Sequence, residues 1–373
     1  MKVALVHDWL VAHRGGEQVL LEIARLFPQA PIFTLVCRKK LIHPELAAHK
    51  IHTSWIQKLP LAPRRFRQYL PLFPAAIASF NLSKFDLVIS TSHCVAKAVH
   101  TNKDQVHIAY VHSPMRYIWD QMPHYLAALP FTAITNPMAH ILAKFLRRWD
   151  IRTSHQGQII IANSEFVKNR IKRVWNLSVK VIYPPVDIDY FSTNQPAESR
   201  SGFIVVGALV PYKRIDLAVS LCSKRGFNLT VIGDGPELNK LKQIATSNIR
   251  FVKSLSLAEL RNVYASAEAL LFPGEEDFGI IPVEAMAAGC PVIAYGSGGS
   301  SETVIADGPL ATGVLFNEQT LESLSNAVDK FFTLRASGSY VSEILQKHAR
   351  NFDRDSFKSN FISLLSDQGL HLK

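Results

Sequence analysis

Two successive runs of short apolar segments, spaced by helix-length amphipathic stretches and separated by a proline-bearing break, constrain this chain more than any other feature. Such alternation points to parallel sheets, because parallel neighbours need a crossover long enough to return along the sheet. In the first run KVALVHD, PIFTLVC, FDLVIST, HIAYVH, QIIIANS and KVIYPP read as buried strands. SEFVKNRIKRVW, between the last two, reads as a crossover helix with Ser164 as its N-cap. The stretch YPPVDIDYFSTNQPAESR carries three prolines and little periodicity, so it reads as a linker. In the second run GFIVVGAL, NLTVIG, IRFV, ALLFP and PVIAYG read as strands, with helices near RIDLAVSLCSK, PELNKLKQIA, LAELRNVYASA and IIPVEAMAAG. The expected class is α/β: doubly wound domains over 1–185 and 202–352, a linker over 186–201, and ligands in a crevice beyond the carboxyl ends of the strands.

At 373 residues and 48% hydrophobic content, the chain can bury two cores. Its four cysteines, Cys37, Cys94, Cys222 and Cys290, lack metal-ligand spacing, which argues against zinc sites and a disulfide framework and suits a reducing cytoplasm. His7, Asp8 and His13 interrupt the amino-terminal apolar run, so no signal peptide is expected. The longest uncharged stretch, 126–143, contains Pro130, Asn136, Pro137 and His140 and makes a poor membrane span. Charge is uneven: residues 1–190 hold 24 Lys+Arg against 11 Asp+Glu, and 191–373 hold 17 against 19. A basic first half suits nucleic acid, an anionic membrane surface or acidic substrates. No nucleic-acid-binding motif is present, and no nucleic-acid partner is expected. HILAKFLRRW sets Ile141, Leu142, Phe145, Leu146 and Trp149 against Lys144, Arg147 and Arg148, and RRFRQYLPLF sets Phe66, Tyr69, Leu70 and Phe73 against Arg64, Arg65 and Arg67. Helices docked on the core and helices lying on a membrane share this pattern.

Four loops carry chemistry. Gly15-Gly16 precede a helix whose amino terminus favours anions, although two glycines equally make a tight turn. His112 follows a buried strand, where imidazole can meet a sugar hydroxyl, a phosphate or a structural partner. Arg116, four residues on, faces either an acceptor phosphate or solvent. Lys213 and Arg214 lie near a helix amino terminus, where cations oppose the helix dipole unless an anion such as pyrophosphate sits there; the alternative is a solvated basic pair. In PGEEDFGIIPVEAMAAGCPVIA, Glu276 precedes a flexible Phe278-Gly279 turn from which it could reach a sugar ring, and Glu284 stands inside the next helix where it could accept from ribose hydroxyls, although two glutamates alone are unremarkable on any helix. The backbone around Gly279, Ile280 and Ile281 offers amides to phosphate or sugar oxygens.

EEDFGIIPVEAMAAGCPVIA, supported by GGEQVL, YVHSPMRY, VPYKRIDLAV, IGDGPE and GGSSETV, strongly resembles the retaining glycosyltransferases of family 4 over nearly the whole chain. The resemblance implies the GT-B architecture, two facing Rossmann-like domains with a cleft between them. It implies that Glu276 contacts the donor sugar, Glu284 the ribose and Lys213 the pyrophosphate, and that His112 lies near the reacting centre. Gly15, Gly16, Arg214, Gly233, Phe278, Gly279, Ile280 and Ile281 complete the expected donor site, with Arg116 on the acceptor side. The helix over 353–373 is expected to pack back on the first domain. Where many relatives have Arg, this chain has Ala208, and Asp277 replaces a frequent Gly. The implied reaction is metal-independent hexosyl transfer with retention and no cofactor, from GDP-mannose to a lipid-linked or saccharide acceptor in bacterial surface polysaccharide assembly. It would take place in the cytoplasm, with peripheral contact to the inner membrane face. A UDP-sugar donor, a GT-B nucleotide-sugar epimerase and a nonenzymatic nucleic-acid or membrane-binding protein are the alternatives.

Overall fold

In the computed structural model the chain divides into two compact units, Met1–Tyr183 and Pro184–Lys373. The structure describes residues 1–12, 15–120, 132–192 and 200–370. Parts of the expected linker (193–199) and of the uncharged stretch (126–131) lie outside the described residues.

The first unit holds seven strands: β1 (Val3–His7), β2 (Ile32–Thr34), β3 (Ile51–Thr53), β4 (Leu87–Ser92), β5 (Val106–Val111), β6 (Ile159–Ala162) and β7 (Lys180–Val181). They pair in parallel in the order β3-β2-β1-β4-β5-β6-β7. The second unit holds β8 (Phe203–Val206), β9 (Leu229–Ile232), β10 (Ile249–Val252), β11 (Ala269–Phe272), β12 (Val292–Tyr295) and β13 (Gly313–Phe316), parallel in the order β10-β9-β8-β11-β12-β13. β1, β2, β4 and β11 are buried along their whole length, as expected of parallel strands covered on both faces. Each order reverses direction once, at β1/β4 and at β8/β11, and loops leaving those carboxyl ends are where doubly wound sheets gather ligands.

All eleven expected strands are present, and Ser164 caps the crossover helix Glu165–Trp175 by accepting from Val167 N. β3 and β13 were not anticipated. IHT offers one strongly apolar residue at an edge, and β13 starts on Gly313, whose weak strand propensity hides a close approach: a Cβ there would come within 1.9 Å of Val292 O. Part of the expected linker is ordered against the second unit, since Ile188 and Phe191 are buried and Val186 N donates to Phe352 O. The helix Arg354–Asp367, within the residues of the second unit, buries Phe357, Phe361, Leu364 and Leu365.

The basic amphipathic stretches sit as follows. Phe66 and Phe73 are buried, while Arg64, Arg65 and Arg67 are exposed. In the helix Thr132–Ser154 the apolar face is divided. Ala143 and Leu146 are buried, but Met138, Ile141 and Phe145 are 68%, 69% and 55% exposed, beside exposed Lys144 and Arg148. The buried face continues to Asp150, which accepts hydrogen bonds from the indole nitrogens of Trp119 and Trp175.

Candidate functional site

On the first unit, the candidate site grows from the carboxyl ends of β1, β4 and β5. Asp8, just past β1, is buried and accepts four backbone N–H bonds, from His93 and Cys94 at Oδ2 and from Val95 and Ala96 at Oδ1, at 2.7–2.9 Å. One carboxylate therefore fixes the loop leaving β4. His93 Nδ1 lies 3.3 Å from Asp8 Oδ2, and its ring packs edge-on against Trp9 at 4.4 Å. His7 pairs in register with Thr91 across β1/β4, and its Nδ1 lies 2.7 Å from Thr91 Oγ1. His112 follows β5, with its ring 6.2 Å from that of His93. A Cβ placed on Gly16, at the start of the helix Gly15–Leu26, would meet His112 Nε2 at 3.5 Å, so the structure brings these two expected residues together. Burial pushes the imidazoles of His7 and His112 down to about 3, helped by His93, so both are neutral at physiological pH.

The segment after His112 is tied to its surroundings. Ser113 Oγ accepts from buried Arg170 Nη1 at 2.8 Å, and Asp120 pairs with Arg170 and Arg173. Arg116 opens the short helix Arg116–Trp119 and is half-buried.

On the second unit, the loops after β8, β9 and β11 meet over glycines. Gly207 adopts φ 144°, and a Cβ there would lie 2.9 Å from Lys213 Nζ. A Cβ on Gly233 would strike Gly207 O at 1.8 Å, and one on Gly274 would meet Lys213 Cα at 2.7 Å. These glycines let the backbone close around the lysine, whose Nζ lies 2.5 Å from Glu276 Oε1. Arg214 turns elsewhere: it has φ 48°, pairs with Asp216 at 3.1 Å through two nitrogens, and donates to Gln319 O. Half-buried Ala208 contributes no charge.

Gly279, at φ 85°, is the N-cap of the helix Ile280–Ala287 and brings no side-chain cap, so the first-turn amides of Ile280 and Ile281 lack the usual capping oxygen. The loop before it is braced. Gly299 N donates to Glu276 O at 2.8 Å, Ser297 Oγ donates to Glu275, and buried Phe278 packs edge-on against Phe352. Glu284, inside the helix, accepts from Tyr264 Oη at 3.2 Å. Burial pushes its carboxyl up to about 7 against the Tyr264 hydrogen bond, with Asp187 adding to the rise. Lys213, Glu276, Phe278, Gly279 and Glu284 thus occupy one connected region of the second unit.

Sequence reasoning missed His7, Asp8, His93 and Gly207. Their signal was present, since a His-Asp pair ends the first strand and a glycine ends the eighth, yet His7 and Asp8 served there only as interruptions of an apolar run.

Two family models match end to end along the chain, one described as Glycosyltransferase Family 4 over residues 13–190 and one as Glycosyl transferases group 1 over 188–351. The chain belongs to glycosyltransferase family 4. A D-inositol 3-phosphate glycosyltransferase of Mycobacteroides abscessus is 26% identical over 56% of this chain and 51% of its own length. A GDP-mannose-dependent alpha-mannosyltransferase of Mycolicibacterium smegmatis is 30% identical over 43% of each chain. The matches therefore span about half the length of these relatives. The crystal structure of Anabaena HepE in complex with UDP and glucose matches with a TM-score of 0.72 at 18% identity, covering 98% of this chain and 99% of that one. The fold of this family 4 member is GT-B, built from two parallel-sheet, Rossmann-like units.

Proposed function

We propose that this chain is a retaining hexosyltransferase whose second unit holds a nucleotide-sugar donor. The observation that carries this is the Lys213–Glu276 pair beside an uncapped helix amino terminus, with Glu284 one helix turn further on. In this reading Lys213 and the first-turn amides of that helix hold the diphosphate, Glu276 the hexose and Glu284 the ribose. With Ala208 in place of the family arginine, Lys213 supplies the side-chain cation there. The acceptor hydroxyl attacks the anomeric carbon on the face from which the nucleotide diphosphate leaves. One C–O bond forms, the C–O bond to phosphate breaks, and the hydroxyl proton passes to the departing phosphate oxygen. Fixed positive charge at Lys213 stabilises that oxygen as the bond breaks, which is the task a divalent metal performs in other transferases. The proposed reaction therefore needs no metal, and transfer should continue in EDTA.

Mannose from GDP-mannose is the proposed donor, supported by the mannosyltransferase among the relatives. The proposed acceptor is lipid-linked or saccharide, in surface polysaccharide assembly. A UDP-sugar is the second reading, supported by the UDP and glucose bound in Anabaena HepE. Isothermal titration with GDP, UDP, ADP and their sugar conjugates, with Glu284→Ala as control, tests both. Selective GDP binding weakened by the substitution supports the first, release of UDP but not GDP from a donor panel transfers the case to the second, and no nucleotide binding at all removes the transferase reading.

We also propose peripheral adsorption at the inner face of the cytoplasmic membrane. No helix among the described residues is long and apolar enough to cross a membrane. Exposed Ile141 and Phe145 interleaved with Lys144 and Arg148 fit an anionic interface. Flotation with phosphatidylglycerol liposomes should carry the protein upward, and Ile141→Ser/Phe145→Ser should leave it at the bottom; wild-type protein remaining at the bottom would remove this part.

A further inference from the structure

His7 and His112 each bury an Nε2 atom that has no hydrogen-bond partner among the described residues, and both rings border Gly16. A Cβ on Gly16 would stand 3.5 Å from His112 Nε2 and 3.7 Å from His7 Cε1, so the two imidazoles flank one glycine. The other edge of His7 is engaged by Thr91 Oγ1 at 2.7 Å, which fixes the ring with Nε2 pointing away from that partner. A buried polar atom without a partner is costly, and here two of them stand against one glycine at the β1/β4 switch point.

We infer that His7 works together with His112 as a two-imidazole reader of sugar hydroxyls, the two Nε2 atoms hydrogen-bonding hydroxyl groups of one hexose beside the backbone of Gly16. This rests on the hexosyltransferase reading above and adds His7 to it as a second sugar-reading residue beside His112. A hydroxyl both donates and accepts, so it serves either tautomer of each ring. Neutral imidazoles bring no charge to a phosphate but keep one donor and one acceptor nitrogen each, a set that matches hydroxyls, which also donate and accept. Gly16 is part of the device because any side chain there would stand between the two rings.

The test uses the full chain and two kinds of ligand. GDP and UDP are titrated against GDP-mannose and UDP-glucose, and methyl α-mannoside and methyl α-glucoside are titrated into nucleotide-saturated protein. His7→Asn keeps an amide near the Nδ1 position facing Thr91 and deletes the Nε2 edge, while His7→Gln places an amide near Nε2. His7→Asn should leave bare-nucleotide affinity unchanged and weaken sugar binding about three- to tenfold, the effect of one lost hydrogen bond, with partial recovery in His7→Gln. A drop confined to the sugar nucleotides assigns the pair to the donor hexose, and a drop confined to the methyl hexosides assigns it to the acceptor. Gly16→Ala meets only ordinary contacts and should fold, so it carries the test if the histidine variants do not; it should reduce the same sugar-dependent affinity. Unchanged sugar binding, or an equal loss for bare nucleotide, would overturn the inference while leaving the transferase reading in place. Wild-type protein that binds no sugar nucleotide would overturn both.

Discussion

Lys213 Nζ and Glu276 Oε1 stand 2.5 Å apart over Gly207, so the expected diphosphate ligand and the expected sugar ligand hold each other. The pair has an asymmetric consequence. Lys213→Ala removes a charged donor, and nucleotide diphosphate affinity should fall about ten- to a hundredfold. Glu276→Gln leaves Lys213 without its carboxylate partner, so bare GDP or UDP should bind as well as before or more tightly, while turnover of the sugar nucleotide falls. Calorimetry of the nucleotide alongside product release by chromatography reads both, and equal weakening of bare nucleotide by the two substitutions would show that the glutamate does not act on the sugar.

Glu284 supplies a pH dependence. Its carboxyl is raised from the usual 4.5 to about 7, so it is largely protonated in mild acid and ionises near neutrality. An ionised carboxylate accepts from ribose hydroxyls more strongly than a protonated one, and affinity for GDP-mannose should rise as pH increases through about 7. The sugar nucleotide is the right probe, because its phosphates do not titrate in that range. In Glu284→Gln the profile should be flat. For stability the sign is opposite: the folded chain holds this proton more tightly than the unfolded chain, so the contribution of Glu284 is present below about 4.5 and is lost as pH rises to about 7.

Much of this was legible in the chain because both architecture and donor loop are local patterns. Buried parallel strands announce themselves as apolar runs, and the string from Glu275 to Ala294 keeps its glutamates, glycine and small-residue helix end in one stretch. What was not legible depends on tertiary placement. Nothing in the sequence says that Asp8 will receive the amides of residues 93–96, since that contact spans more than eighty positions. The helix Thr132–Ser154 shows the same limit, as periodicity found its apolar arc but not which part of the arc the core would take. Arg214 looked equivalent to Lys213 until its left-handed backbone turned it onto Asp216.

Three histidines should make the first unit acid-sensitive. Burial holds His7, His107 and His112 at about 3 against the usual 6.5. The unfolded chain takes up protons first, so the stability from each is full above 6.5 and declines as pH falls toward 3, by up to about 1.4 kcal/mol per pH unit per residue. All five tryptophans, Trp9, Trp55, Trp119, Trp149 and Trp175, lie in the first unit, so indole fluorescence follows that unit alone. Urea midpoints should fall steadily from pH 6.5 to 4.5, and His107→Gln, whose amide can still meet Ser90 Oγ, should show a shallower fall than wild type. Parallel slopes would mean that His107 is not the group being protonated.

Asp150 ties the helix Thr132–Ser154 to the core of the first unit. Its carboxylate is fully buried, pairs with Lys97 Nζ at 3.2 Å and accepts from Trp119 Nε1 at 2.9 Å and Trp175 Nε1 at 2.8 Å. Lys97 is itself buried, over the Trp175 ring at 4.6 Å, and donates to Thr153 Oγ1. Asp150→Ala would strand an ammonium and two indole N–H groups in the core, and removing one partner of such a pair costs about 3–5 kcal/mol. Asp150→Asn keeps one acceptor oxygen and should cost less. Lys97→Met combined with Asp150→Asn removes the charge along with its partner, so the double variant should be more stable than the sum of the single effects predicts. Because Trp119 ends the short helix that Arg116 opens, the same substitution should also loosen the segment after His112. Sugar binding by Asp150→Asn should then fall before global unfolding begins; if it stays at the wild-type level until the fluorescence transition, the hub holds the core without positioning the site.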